Sequence, residues 1–191
     1  MDALQRIEAY ELMDEDRLIK FLQTVQSTYR QDVQYHNDIH GADVMQAAFY
    51  MLKSCGLQKT LKLNLLDCMS LIISAACHDL GHDGFTNSYH VNAITNRAID
   101  SNDVSVQESF HVAELFRILQ QDQSNFAVNM SREEFKIFRK RTIGLILATD
   151  MARHAADLSS LNSMISEKNI NGDGEINLFE DLEPSDVFKS Q

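Results

Sequence analysis

The run Leu61-Lys62-Leu63-Asn64-Leu65-Leu66-Asp67-Cys68-Met69-Ser70-Leu71-Ile72-Ile73-Ser74-Ala75-Ala76-Cys77 is apolar nearly all round when wound at a helical period, with Leu65, Met69, Ile72, Ile73 and Ala76 its strongest positions. A segment of this kind predicts a helix at the centre of a bundle, covered on every side by others. Amphipathic partners flank it. Asp14–Tyr29 carries Leu18, Phe21, Leu22 and Val25 at helical spacing, and His40–Ser54 carries Val44, Ala47, Ala48, Met51 and Leu52 before Cys55, Gly56 and Leu57 end it. Downstream, Ser105 with Glu108 and Ser131 with Glu134 read as capping boxes. The helices they open bury Val112, Leu115, Phe116 and Leu119, and Phe135, Phe138, Leu145 and Ile146. A last amphipathic helix runs from about Ala155 to Lys168, and Gly81–Ser88 reads as a loop.

Composition agrees with an all-α, multi-helix bundle. One Pro and 7 Gly in 191 residues are too few to punctuate the short strands of a sandwich or barrel. With 44% hydrophobic and 24% charged residues the chain is suited to a folded core rather than disorder. Seventeen basic against 28 acidic residues leave a net charge of −11, which opposes a nucleic-acid partner. A small phosphate-bearing substrate stays open, because a bound metal inverts the local potential. No apolar run approaches the roughly 18 residues of a membrane span. Met1–Arg17 is too polar for a signal peptide. Cys55, Cys68 and Cys77 lack C-x-x-C spacing and sit in apolar periodic segments, which suits a reduced, cytoplasmic setting.

Seven histidines occur, and four of them pair at a spacing of four: His36 with His40, and His78 with His82. Chance placement predicts only about a quarter of one such pair. If Tyr35–Val44 is helical, His36, His40 and Asp43 share one face. His78 and Asp79 stand where the buried helix runs into a loop, a position from which side chains can enter a cleft. Neutral imidazoles and carboxylates suit Zn²⁺; carboxylates and water suit Mg²⁺ or Mn²⁺. A mixed cluster on two rigid helices can hold two metals about 3.5–4 Å apart, the arrangement that clamps a phosphoryl group. His90, His111 and His154 stand singly, and a lone helical histidine ordinarily caps a carbonyl or faces solvent.

The run Tyr35-His36-Asn37-Asp38-Ile39-His40-Gly41-Ala42-Asp43-Val44, followed by His78-Asp79-Leu80-Gly81-His82-Asp83-Gly84-Phe85-Thr86-Asn87-Ser88-Tyr89, resembles the class I cyclic nucleotide phosphodiesterases, members of the metal-dependent HD phosphohydrolases. The second run fits the signature His-Asp-apolar-x-His-x-Gly-x-x-Asn-x-aromatic at every fixed position. Asn102-Asp103-x-Ser105-Val106-x-Glu108, Phe116-Arg117-Ile118-Leu119, Ser131-Arg132-Glu133-Glu134-Phe135 and Ile146-Leu147-Ala148-Thr149-Asp150-Met151-x-x-His154 follow in register, so the likeness spans about Leu18–Lys168. It implies an HD-type helical bundle that opens cyclic AMP or cyclic GMP to the 5′-monophosphate in signal transduction. It implies His36 as the general acid for the 3′ oxygen. His40, His78 and Asp79 would ligate zinc, and Asp79 would bridge to magnesium or manganese, so that a bridging hydroxide attacks phosphorus in line. It also implies that His82, Asn87, Glu108, Thr149 and Asp150 orient metal waters and the substrate phosphate. For Glu108 a purely structural role as a helix cap stays equally open.

Departures bound the likeness. Ser109-Phe110-His111 stands where the family has Asn-His-His, and Asp83 where it usually has proline. The family's fourth zinc ligand is an Asp in a His-x-Ala-Asp-apolar-Ser-Asn-Pro-like segment. His154-Ala155-Ala156-Asp157-Leu158-Ser159 imitates it but begins at the histidine of the Thr-Asp-Met element and lacks the Asn-Pro, so it is set aside. That ligand, the purine-binding glutamine and the aromatic wall are expected beyond Gln191. The resemblance therefore implies that 1–191 is the amino-terminal part of a catalytic domain, with motifs over about 18–168, an acidic insertion or tail over about 169–191, and any regulatory domains outside it. Two other readings stay open: a different HD-type nucleotide phosphohydrolase, and a non-catalytic fragment, such as a calcium-responsive or partner-binding module. Asn169–Glu180 fits an EF-hand loop in outline, with Asn at the first position where Asp is expected; the competing reading is an acidic surface turn.

Overall fold

The computed structural model describes residues 12–169, so the Asn169–Glu180 pattern lies outside the described residues except for Asn169 itself. Among the described residues there are nine α-helices and no strand. They are α1 (Glu15–Thr28), α2 (Asp38–Lys53), α3 (Leu57–Thr60), α4 (Leu65–Cys77), α5 (Asn87–Asn92), α6 (Asn96–Ser101), α7 (Val106–Leu119), α8 (Arg132–Leu147) and α9 (His154–Asn169). No helix among them is long and apolar enough to cross a membrane.

Helix α4 occupies the centre, with α2 on one side and α8 on the other, while α7 packs against α8 and α1. Its expected all-round burial is observed: Met69, Ile72 and Ile73 are sealed from solvent together with Leu18, Phe21, Leu115, Phe126, Phe138 and Ile146. Aromatic edges lock this core, with Phe21 and Phe126 ring centroids 4.9 Å apart and Phe126 and Phe138 6.0 Å apart. The helix begins later than the apolar run. The Asn64 side chain accepts from the Asp67 amide and the Asp67 side chain accepts from the Asn64 amide, both at 2.9 Å. This is a capping box in Asn-x-x-Asp form.

The second Asp67 oxygen meets the Arg141 guanidinium of α8 at 2.8 Å, with the Asp67 side chain fully enclosed. This pair ties the two central helices together. Arg141→Met strands a buried carboxylate and is expected to destabilise the fold by about 3 kcal/mol, a fall in melting temperature of roughly 6–12 °C in a thermal scan. A change below about 2 °C would show that the pair carries no such weight.

Three local expectations need correction. Helix α2 starts at Asp38, because Asn37 accepts from the Ile39 and His40 amides and ends the preceding bend. His36 therefore precedes the helix, and Asp43, which was to share its face, is exposed. The core-facing side of α2 is Gly41, Met45, Ala48, Phe49 and Leu52; Ala47 and Met51 face solvent. Ser105 does not cap α7: it sits at φ +43°, and its hydroxyl donates to Asp150 Oδ2 at 2.8 Å. An early amide of α7, that of Gln107, is satisfied instead by Asn87 Oδ1 at 2.8 Å. The Ser131–Glu134 capping box forms as expected.

Gly41 has a specific reason to be glycine. A Cβ there would lie 2.9 Å from the Tyr29 hydroxyl and 3.1 Å from the Ala76 carbonyl, where Tyr29 itself donates to Ala76 at 3.0 Å. The absent side chain lets α2 settle onto α4. That contact lies one residue from His40 and two from His78.

Candidate metal centre

His40 stands in the first turn of α2, His78 caps the end of α4, and Asp79 follows it. The two Nε2 atoms are 3.2 Å apart, and Asp79 Oδ2 lies 3.3 Å from that of His40 and 3.2 Å from that of His78. Three atoms bound to one ion at about 2.1 Å are spaced by roughly 3.0 Å in octahedral and 3.4 Å in tetrahedral geometry. The triangle therefore fits a divalent cation. His78 Nδ1 donates to the Ala75 carbonyl at 2.9 Å, which leaves the Nε2 lone pair directed at the centre. Among the described residues this is the one group of three or more ligand side chains so placed, and Asp157 is not part of it.

The ionisation states of Asp79 and His40 suit ligation. Burial alone would raise Asp79, but the His78 hydrogen bond and the neighbouring imidazoles hold its carboxyl at about 2. Burial, and then the charge of His78, hold His40 below the usual histidine range. Burial would also lower His78, yet contact with Asp79 outweighs it and the net shift is upward. The carboxylate is ionised at neutral pH, as a metal requires.

All nine residues singled out from the sequence border one cleft of about 870 Å³. His36 stacks on His82, with ring centroids 4.0 Å apart, and stands edge-on to His40 at 5.9 Å. Burial, followed by the charge of His36, pushes His82 down to about 4; its Nδ1 accepts from the Gly84 amide at 2.9 Å. Glu108 accepts from Asn87 Nδ2 at 2.9 Å, and burial pushes its carboxyl up. Asp150 accepts from Ser105 and from the Ala152 amide, while the Thr149 hydroxyl donates to the Ile146 carbonyl. Glu108 is thus tied to the cleft through Asn87 and is no partner of Ser105.

Among the lone histidines, His90 bridges Thr95 and Asp83 away from the triangle, and His154 borders the cleft from the start of α9. His111 is the residue that sequence reasoning missed. It does cap a carbonyl, with Nδ1 donating to Leu80 at 2.7 Å, but its Nε2 comes within 3.9 Å of Asp79 Oδ1. Burial pushes it down to about 3, so it is a neutral ring. Its signal was the Glu108–His111 spacing, which puts both on one face of α7. Gln107, buried and bonded to Asp83 and the Phe85 carbonyl, carried no such signal.

Asp83 also gives a pH expectation. Burial would raise its carboxyl, but the Gln107 hydrogen bond at 2.7 Å and the nearby Arg97 and His90 hold it below the usual carboxylate range. A carboxyl lowered on folding supplies stability above its unfolded pKa of about 4 and loses it as pH falls through the folded value. Asp83→Asn is expected to lower stability at pH 6 and to flatten the acid limb below about pH 4. Urea midpoints measured from pH 3 to 6 check this; parallel acid limbs would refute it.

An all-helical bundle that brings His40 from α2 together with His78 and Asp79 from the end of the central helix α4, at the edge of one cleft, defines a protein class equipped to hold a divalent cation. The profile of the 3′5′-cyclic nucleotide phosphodiesterases matches residues 35–187, and the chain belongs to that family. It is 38% identical over 139 residues to the 3′,5′-cyclic-nucleotide phosphodiesterase regA of Dictyostelium discoideum, covering 73% of this chain and 17% of that protein. It is 34% identical over 155 residues to the 3′,5′-cyclic-AMP phosphodiesterase 4C of Rattus norvegicus, covering 81% and 28%. The crystal structure of the phosphodiesterase domain of the RhoPDE fusion protein from the choanoflagellate Salpingoeca rosetta superposes with a TM-score of 0.80 at 30% identity, over 95% of this chain and 55% of that one. The chain thus spans about half of that solved domain and under a third of these curated relatives.

Proposed function

We propose that the protein hydrolyses 3′,5′-cyclic nucleotides, cyclic AMP or cyclic GMP, to 5′-monophosphates in cytoplasmic signalling. The observation that carries this is the ligand triangle of His40, His78 and Asp79 facing His36 across one cleft, in a chain of this family. The triangle would hold zinc, and Asp79, with a second carboxylate oxygen turned toward His111, would also serve magnesium or manganese. When bound, such cations supply Lewis acidity and a nucleophile at neutral pH.

The chain's own residues do the rest. His36 delivers a proton to the departing 3′ oxygen from a ring kept upright by its stack on His82. Buried as neutral rings, His82 and His111 add no positive charge that would repel a cation at the centre. Asn87, anchored between Gln107 and Glu108, and Asp150, anchored by Ser105, fix the polar wall that would orient metal waters and the substrate phosphate. The apolar wall formed by Val44, Ala48, Leu71 and Leu145 excludes water on the other side.

The test is release of 5′-AMP or 5′-GMP by the zinc- and magnesium-loaded protein, resolved chromatographically. Hydrolysis of either cyclic nucleotide with linear 5′-monophosphates left intact supports the proposal. Phosphate release from linear monophosphates alone would replace it with an HD-type nucleotidase.

A further inference from the structure

Four side chains at and beside the cleft wall, Asp83, Arg97, Gln107 and Phe110, have no part in holding a metal or delivering a proton, yet they are joined to one another. Asp83 Oδ1 accepts from Gln107 Nε2 at 2.7 Å and from the Phe85 amide at 3.3 Å, and Asp83 Oδ2 lies 3.4 Å from Arg97 Nη1. The Arg97 guanidinium donates Nη1 to Gln107 Oε1 and Nη2 to the Gly81 carbonyl at 3.1 Å. Its flat face covers the Phe110 ring, 3.6 Å from the centroid. The Phe110 ring also presses on Gly81, where a Cβ would come within 3.1 Å of it. One guanidinium thereby grips the chain at residues 81 and 83, on both sides of His82.

That grip bears on His36. Lying ahead of α2, His36 gains no support from helix packing, and its ring rests on His82 and against the edge of Tyr35 at 4.9 Å. Asp83 and Phe110 are also two positions at which the chain departs from the family pattern, and both touch Arg97.

We propose that Arg97 is a positioning residue: by holding Gly81 and Asp83 it fixes the His82 ring, and the His82 ring aims His36. The proposal rests on the assignment of His36 as the proton donor. Lysine does not replace this arginine, because an ammonium neither forks to Gln107 and Gly81 nor stacks flat on Phe110.

The experiment compares the unsubstituted, zinc- and magnesium-loaded protein with Arg97→Leu, Arg97→Lys and Leu119→Ala, the last removing buried carbon at the far end of α7. Histidine-selective NMR reads the ring signals, a chelator competition reads zinc affinity, and cyclic AMP hydrolysis reads kcat and KM. Both Arg97 variants are expected to shift and broaden the His36 and His82 signals, and to lower kcat by about 10- to 100-fold with KM within about threefold. Zinc affinity stays within about threefold, and Leu119→Ala lowers the melting temperature while leaving the ring signals and kcat in place. His36 and His82 signals in Arg97→Leu that coincide with the unsubstituted protein would overturn the proposal. So would full recovery of those signals and of kcat by lysine. A protein that hydrolyses no cyclic nucleotide before any substitution would overturn the phosphodiesterase assignment instead, and the ring signals would still decide whether Arg97 holds His82.

Discussion

Asp79→Ala is expected to remove the metal and the turnover together. The substitution deletes one vertex of a triangle whose edges are 3.2–3.3 Å, leaving two imidazoles that form no closed site. It also removes the partner that raises His78 and faces His111. Loss of even an outer partner of a metal ligand lowers affinity by about 10- to 100-fold, so loss of a ligand should exceed a hundredfold. Turnover should fall by at least about 10³-fold, since in the proposed reaction the cation would supply both nucleophile and charge stabilisation. Zinc competition against a chelator and 5′-nucleotide release check the two effects separately. The helices should survive, because Asp79 lies beyond the end of α4 and belongs to no helix, and circular dichroism reads that. Zinc affinity within about threefold of the unsubstituted protein would exclude Asp79 as a ligand.

His36→Ala should separate what Asp79→Ala couples. His36 lies outside the triangle, so zinc affinity should hold while kcat falls by about 10²- to 10⁴-fold, the range for deleting a general acid. His82, stacked beneath it, is a poor substitute: a ring held at about 4 is neutral at pH 7 and has no readily given proton. A nitrophenyl phosphodiester provides the decisive comparison. Its phenolate departs without protonation, so its hydrolysis should fall by less than about tenfold in the variant. Equal losses on both substrates would mean that His36 serves binding or positioning rather than proton delivery.

The bundle was legible because the Leu61–Cys77 region needs neighbours on every side and α4 has them. The histidine pairs were legible because a spacing of four is a short-range property of one chain segment. What escaped is held by distant partners. Ser-x-x-Glu at 105–108 looks like a cap in any local window, yet Asp150, far along the chain, claims the serine, and Asn87 takes the Gln107 amide, next to the one the serine would have served. The helical face drawn through His36 failed because Asn37 is itself a strong cap and cuts the helix off after it. His111 was discounted as a single histidine. Its importance comes from Leu80 and Asp79, both about thirty residues away: the first accepts from its Nδ1 and the second faces its Nε2 at 3.9 Å. Short α5 and α6 have too few turns to impose a period on the sequence.

The Gly41 contact has a consequence for ion choice. His40 rides on α2 and His78 on the end of α4, so the gap between those helices sets the bite of the two imidazoles. A hydrogen atom at position 41, pressed against the Tyr29 hydroxyl, is the shim that holds that gap. Any thicker shim would open the bite, and a wider bite suits a larger cation. The radius of the cation the triangle could hold is therefore governed partly by backbone clearance at a residue that is not one of its vertices.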